Sequence, residues 1–146
     1  MKQSLPELLL MTNLAATLFM TGVLWFVQVV HYPLFSMVGR SVFPTYEERH
    51  AALTTRIVGP PMLVELATAV LLFWIRPTAV STVSLSIGLA LLAVIWLSTA
   101  LVQVPCHAAL KRGFDAAAHR RLVWTNWVRT AAWSLRGLLV LWMALG

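Results

Sequence analysis

The sequence predicts an all-α fold, a four-helix transmembrane bundle with a short interfacial helix before the second span, on three observations. Of its 146 residues 60% are hydrophobic and only 11% are charged, against about 25% charged in ordinary soluble domains. Four apolar stretches, at about 8–30, 57–75, 82–105 and 122–146, are each long enough to cross a bilayer as a helix. The polar residues inside those stretches recur at helical rather than strand spacing. One integral membrane domain over 1–146 follows.

The first stretch is about twice as long as the usual 7–15-residue core of a secretory signal and is followed by no small-residue cleavage site, so it reads as a retained helix. At 100° per residue, Asn13, Thr17, Thr21, Gln28 and His31 fall within an arc of about 80° and give it one polar face. Next comes the interfacial helix, about 44–57. Pro44 suits its first turn, and Phe43, Tyr46, His50 and Ile57 recur along one side. Gly59-Pro60-Pro61 marks the mouth of the second span, where missing amide hydrogens do least damage. Trp96, Thr99, Gln103 and His107 make a stripe toward the end of the third span, which Pro105 is expected to close, with Cys106 beside it as a small apolar filler. In the fourth, Asn126, Arg129, Trp133 and Arg136 share a face, while Trp124 and Trp142 lie nearly opposite as lipid-facing anchors. The arginine-bearing face therefore turns inward.

The net charge of +6 does not indicate nucleic acid, because of where it sits. Arg40, Arg49 and Arg56 fall between the first two spans and Lys111, Arg112, Arg120 and Arg121 between the last two, whereas the opposite side has Lys2 and Arg76. By the positive-inside rule those two loops are cytoplasmic, both termini are outside, and the protein belongs to the inner cell membrane. One cysteine excludes an internal disulfide and dithiol redox chemistry.

An arginine in a span costs at least ~2.5 kcal/mol unless paired or hydrated. Glu65 is the only carboxylate within a span, and depth counting from the cytoplasmic edge pairs it with Arg129, leaving Arg136 to Asn13. The alternative role for such a pair is a clamp that sets bundle register.

The four-span topology gathers His31, Tyr32, Tyr46, His50, Cys106, His107 and His119 at one membrane edge. His119, between basic neighbours, is expected to be solvated. Val27-Gln28-Val29 before His31 and Val102-Gln103-Val104 before His107 form a weak internal repeat, which would make the two histidines pseudo-symmetry mates.

Neutral imidazoles on facing helices can hold a haem iron, and a mixed histidine and carboxylate set suits non-haem iron or copper. His31, His50, His107 and Glu65 are the metal-ligand candidates. His31, Tyr32, Tyr46 and Gln103 are the catalytic candidates, the histidine for proton transfer and the others to orient substrate or water. Gln28, Asn126, Arg129 and Arg136 would form the supporting network. Glu47-Glu48-Arg49-His50 contains the Glu-x-x-His spacing of di-iron bundles, but in a single copy. No His-Glu-x-x-His, Gly-x-Ser-x-Gly or phosphate-binding glycine loop occurs, which removes the commonest hydrolase and nucleotide readings.

From Val102 to Trp133, Val-Gln-Val-Pro-Cys-His, then Gly-Phe-Asp, then Leu-Val-Trp-Thr-Asn-Trp-Val-Arg-Thr resembles the anthrone-oxygenase-like family of small four-helix membrane proteins. The matching positions are Gln103, Pro105, His107, Trp124, Asn126 and Arg129. Where that family tends to have asparagines around the proline, this chain has Gln103 and His107, and it adds His31-Tyr32-Pro33. The resemblance implies a pocket among the helices for a flat apolar molecule and dioxygen. The leading expectation is thus a membrane oxidoreductase of oxygenase type acting on a hydrophobic small molecule at a His-rich cytoplasmic-side site. The alternatives are a non-enzymatic accessory subunit or lipid-binding protein and a small proton-coupled transporter. Expected partners are the lipid bilayer and a hydrophobic small molecule, with no nucleic acid, in a homo-oligomer or a larger membrane complex.

Overall fold

A computed structural model describes residues 4–146 as four helices with no strand among them. They are α1 (Leu5–Met37), α2 (Phe43–Leu71), α3 (Thr82–Leu110) and α4 (Ala116–Leu145). The Asp115 carboxylate caps α4 by accepting from the Ala117 and Ala118 amides, and the Ser81 hydroxyl caps α3 by accepting from the Ser84 amide. Pro6 opens α1, and the Ser4 amide donates to the Glu7 carboxylate. Three helices, α1, α3 and α4, are long and apolar enough to cross a membrane. Glu47, Glu48, Arg49 and Arg56 in its first half distinguish α2 from them.

At the His-rich end every helix runs past the expected bound of its span, although the second stops at Leu71, short of the expected 75, and the prolines explain how. The interfacial segment and the second span form one uninterrupted helix through Pro60 and Pro61. The carbonyls those prolines leave without amide partners belong to Arg56 and Ile57, both exposed, so no buried acceptor is orphaned. In α1 and α3 a π-helical turn, Val27–His31 and Thr99–Gln103, comes just before Tyr32-Pro33 and Val104-Pro105. The wider turn moves the carbonyl four residues back away from the pyrrolidine ring, so Pro105 continues the third helix where the sequence predicted its end.

The matched π turns give the internal repeat a register different from the expected one. The last residues of the two turns are His31 and Gln103, so His31 corresponds to Gln103 and not to His107. The extra residue also turns α1. Asn13, Thr17, Met20, Leu24 and Gln28 are buried, and beyond the π turn Tyr32 and Phe35 continue that face, while His31 swings toward α2.

α1 packs along both α2 and α4, and α3 packs along α4, whereas α2 and α3 touch only sparsely. A groove between α2 and α3 results. Met20, Leu24, Met62, Leu92, Ile95 and Trp133 fill the middle of the bundle, and Tyr32, Phe35, Phe43, Cys106, Leu110 and Leu122 fill the His-rich end. Trp124 and Trp142 stand outward at 72% and 65% exposure, as anchors against lipid would.

Candidate functional site

Two polar layers cross the bundle. In the deeper one, Arg136 Nε donates to Glu65 Oε1 at 2.7 Å, its NH2 donates to Asn13 Oδ1 at 3.0 Å, and its NH1 donates to the Gly88 carbonyl at 2.6 Å. Thr17 donates to Glu65 Oε1 at 2.7 Å and the Trp133 indole to Oε2 at 3.0 Å. The Asn13 amide donates in turn to the Glu65 carbonyl and the Thr68 hydroxyl. The Arg136–Asn13 contact is as expected; the Glu65–Arg129 pair is not. Counted from the observed helix starts, Glu65 lies roughly 33 Å along α2 and Arg136 roughly 30 Å along α4, but Arg129 only roughly 20 Å. A span start at residue 57 sets Glu65 level with Arg129, and the observed start at Phe43 exchanges the partners. Glu65 is consequently far from the histidines and leaves the ligand set.

The second layer is the His-rich end. His31 Nε2 lies 2.9 Å from His50 Nδ1, and the Tyr32 hydroxyl lies 3.0 Å from His107 Nε2. The other face of His107, Nδ1, meets the carboxylate of Glu47. His119 also joins this layer, since its Nε2–H donates to the Tyr32 carbonyl at 2.8 Å; the expected solvation is incorrect because α4 begins at Ala116 and draws the residue into the bundle. Phe35, fully buried, has its ring within 6.4 Å of His31, His50, His107 and His119. Tyr46 stacks on His50 with centroids 6.3 Å apart.

Glu47, His50 and His107 each offer one ligand atom within 4.8 Å of the others. Glu47 is wholly buried, and its Oε2 has no hydrogen-bond partner. A buried carboxylate oxygen without a partner is costly, and a cation between the three side chains would satisfy it. As the chain stands, His107 Nδ1–H donates to the Glu47 carboxylate; a cation that displaced this proton, with His107 Nε2–H then donating to Tyr32 and His50 Nδ1–H to His31, would take the lone pairs of His107 Nδ1 and His50 Nε2, the arrangement by which outer partners fix ligand tautomers. Burial first, then the His31 and His107 imidazoles, push His50 down to about 3, so it is neutral and available as a ligand. Glu47 is the residue the sequence argument passed over: the Glu-x-x-His spacing was visible, and what completes it is His107 from α3 and not a second copy.

A chain of amides and a guanidinium ties this layer to α4. Gln28 Nε2–H donates to the Val123 carbonyl, Asn126 donates to Gln28 Oε1 at 2.9 Å, and Arg129 NH1 donates to Asn126 Oδ1 at 3.1 Å. Gln103 donates to Thr125 at 3.0 Å. Two grooves flank α2 and share His50, Thr54 and Val58. One of about 490 Å³ lies between α1 and α2, walled by Phe26, His31, Tyr46, Leu53 and Ile57. The other, about 280 Å³ between α2 and α3, exposes Tyr32, Gln103, His107, Lys111 and Arg129. Of the sequence candidates, His31, Tyr32, Tyr46, His50 and His107 therefore meet in one layer, Gln28, Gln103, Asn126 and Arg129 border it, and Glu65 with Arg136 stands apart. No family model, curated protein or solved structure matches this chain.

Proposed function

We propose that the protein is a membrane-embedded oxidoreductase of oxygenase type, acting on a hydrophobic small molecule with one transition-metal ion held by Glu47, His50 and His107. The observation that carries this reading is the two-histidine, one-carboxylate set, half-buried at the histidines and wholly buried at Glu47, whose second oxygen has no partner. Such a set with open positions suits non-haem ferrous iron and dioxygen chemistry. Phe35 and Tyr32 fill the space among the imidazoles, which favours a single ion over a flat macrocycle. The apolar groove between α1 and α2 suits a substrate drawn from lipid. With dioxygen as the oxidant the balance closes without an external reductant: an activated methylene gives up two hydrogens and takes one oxygen atom, and the second oxygen leaves as water. His31 orients His50, Tyr32 orients His107, and the His-rich end faces the cytoplasm.

Metal analysis of protein purified in mild detergent tests it. One iron per chain, lost in Glu47→Gln and His107→Ala and kept in Glu65→Gln, together with oxygen uptake on an apolar substrate, is the expected result. A wild-type protein that binds no transition metal overturns it. The deeper layer favours a second reading, an accessory or lipid-binding protein, because there the buried charges match and hydrogen-bond one another. Under that reading His107→Ala lowers stability and removes no metal.

A further inference from the structure

Two arginines are buried among the described residues, and only Arg136 faces a carboxylate. Arg129, at 7% exposure, forms no ion pair. Its NH1 is fixed by Asn126, its plane lies over the Trp133 ring with 5.3 Å to the centroid, and its Nε is buried with no hydrogen-bond partner. The guanidinium is thus held rigidly with a charge that nothing among the described residues neutralises, an arrangement too costly in a membrane interior to serve packing alone. It borders the groove between α2 and α3, which also exposes Lys111, His50 and His107 and to which no Asp or Glu contributes.

We infer that this groove is a carboxylate-binding site in which Arg129 receives the acid group beside His107. The planar fork of a guanidinium matches a carboxylate with two parallel hydrogen bonds. Lys111 at the mouth adds attraction at longer range. The inference deepens the oxygenase reading by naming an acidic substrate or co-substrate, and it rests on that reading only for the ligand's role, not for its binding. The acid has two sources. α2 and α3 separate along the bundle, which admits the head of an amphiphile from lipid, and the Lys111 end admits a small soluble carboxylate.

The test measures radiolabelled decanoate bound to the full chain in nonionic detergent at neutral pH, displaced by unlabelled decanoate, decanol or acetate. Decanoate should displace the label at concentrations at least ~10-fold below those decanol needs, Arg129→Gln should abolish saturable binding, and Arg129→Lys should retain it at reduced affinity. Displacement by acetate assigns the site to a small acid, and its failure assigns it to an amphiphile. Equal potency of decanol and decanoate, or unchanged binding in Arg129→Gln, overturns the inference. Should Arg129→Gln fail to fold, the decanoate-to-decanol ratio in wild type and Arg129→Lys decides. Metal content measured on the same samples should be unchanged by Arg129→Gln, so failure of acid binding is distinguishable from failure of the Glu47–His50–His107 site.

Discussion

Arg136 Nε reaches Glu65 Oε1 at 2.7 Å across the middle of the bundle, with both side chains 2% exposed or less. Removing one partner of such a pair strands the other, at a cost of about 3–5 kcal/mol. Glu65→Ala and Arg136→Ala should each lower the thermal midpoint in detergent by a large margin, and the double variant Glu65→Leu with Arg136→Leu should recover part of the loss. Additive losses in the double variant would show that the two residues act independently.

The polar stripes that locate this pair were legible in the sequence, because lipid leaves a polar residue few places to go and 3.6-residue spacing says which face it takes. Asn13, Thr17, Asn126, Arg129 and Arg136 are indeed all buried. The partners were not legible. Pairing depends on absolute depth, and depth depends on helix starts that Pro44, Pro60 and Pro105 obscure. The same error placed Glu65 among the histidines, whereas Glu47 was missed because its Glu-x-x-His spacing occurs once and its third partner, His107, comes from another helix. Phe35 carried no signal, since a phenylalanine in an apolar run is ordinary until its neighbours prove to be imidazoles.

Within the ligand set, His31 hydrogen-bonds to His50 alone. It should therefore tune metal binding without being required for it. In His31→Ala, metal affinity is expected to fall about 10–100-fold while full stoichiometry returns at saturating metal; His50→Ala should not be rescued. Isothermal titration with ferrous ion or its cobalt substitute separates the two behaviours.

Acid should destabilise the metal-free protein through His50. Its folded value is pushed below the ordinary 6.5 to about 3, so the neutral form is favoured by folding. That contribution is complete above about 6.5 and is lost as pH falls toward 3. Unfolding midpoints measured in chelator should decline across this window, and His50→Phe should flatten the decline.

Two glycines should respond oppositely to alanine. A Cβ on Gly88 would come 3.0 Å from Arg136 NH1, whose position three hydrogen bonds fix, so Gly88→Ala should cost about 1–3 kcal/mol. A Cβ on Gly22 meets nothing within 4 Å, and Gly22→Ala should stabilise α1 by about 0.5–1 kcal/mol. Thermal unfolding of the two variants side by side checks the contrast.

The π turn at Val27–His31 makes α1 one residue longer than an unbroken helix between the same two layers would be. In terms of chain length it is equivalent to a single-residue insertion in an α-helix. A relative lacking it would align with α1 only through a gap of one, and would present a different side chain where Tyr32 now meets His107. Deleting Val30 would rephase the end of the helix by about a quarter turn, taking His31 and Tyr32 from their partners while Asn13 and Thr17 kept theirs. The two polar layers are therefore separable by indel, and the histidine layer could be gained or lost without dismantling the bundle beneath it.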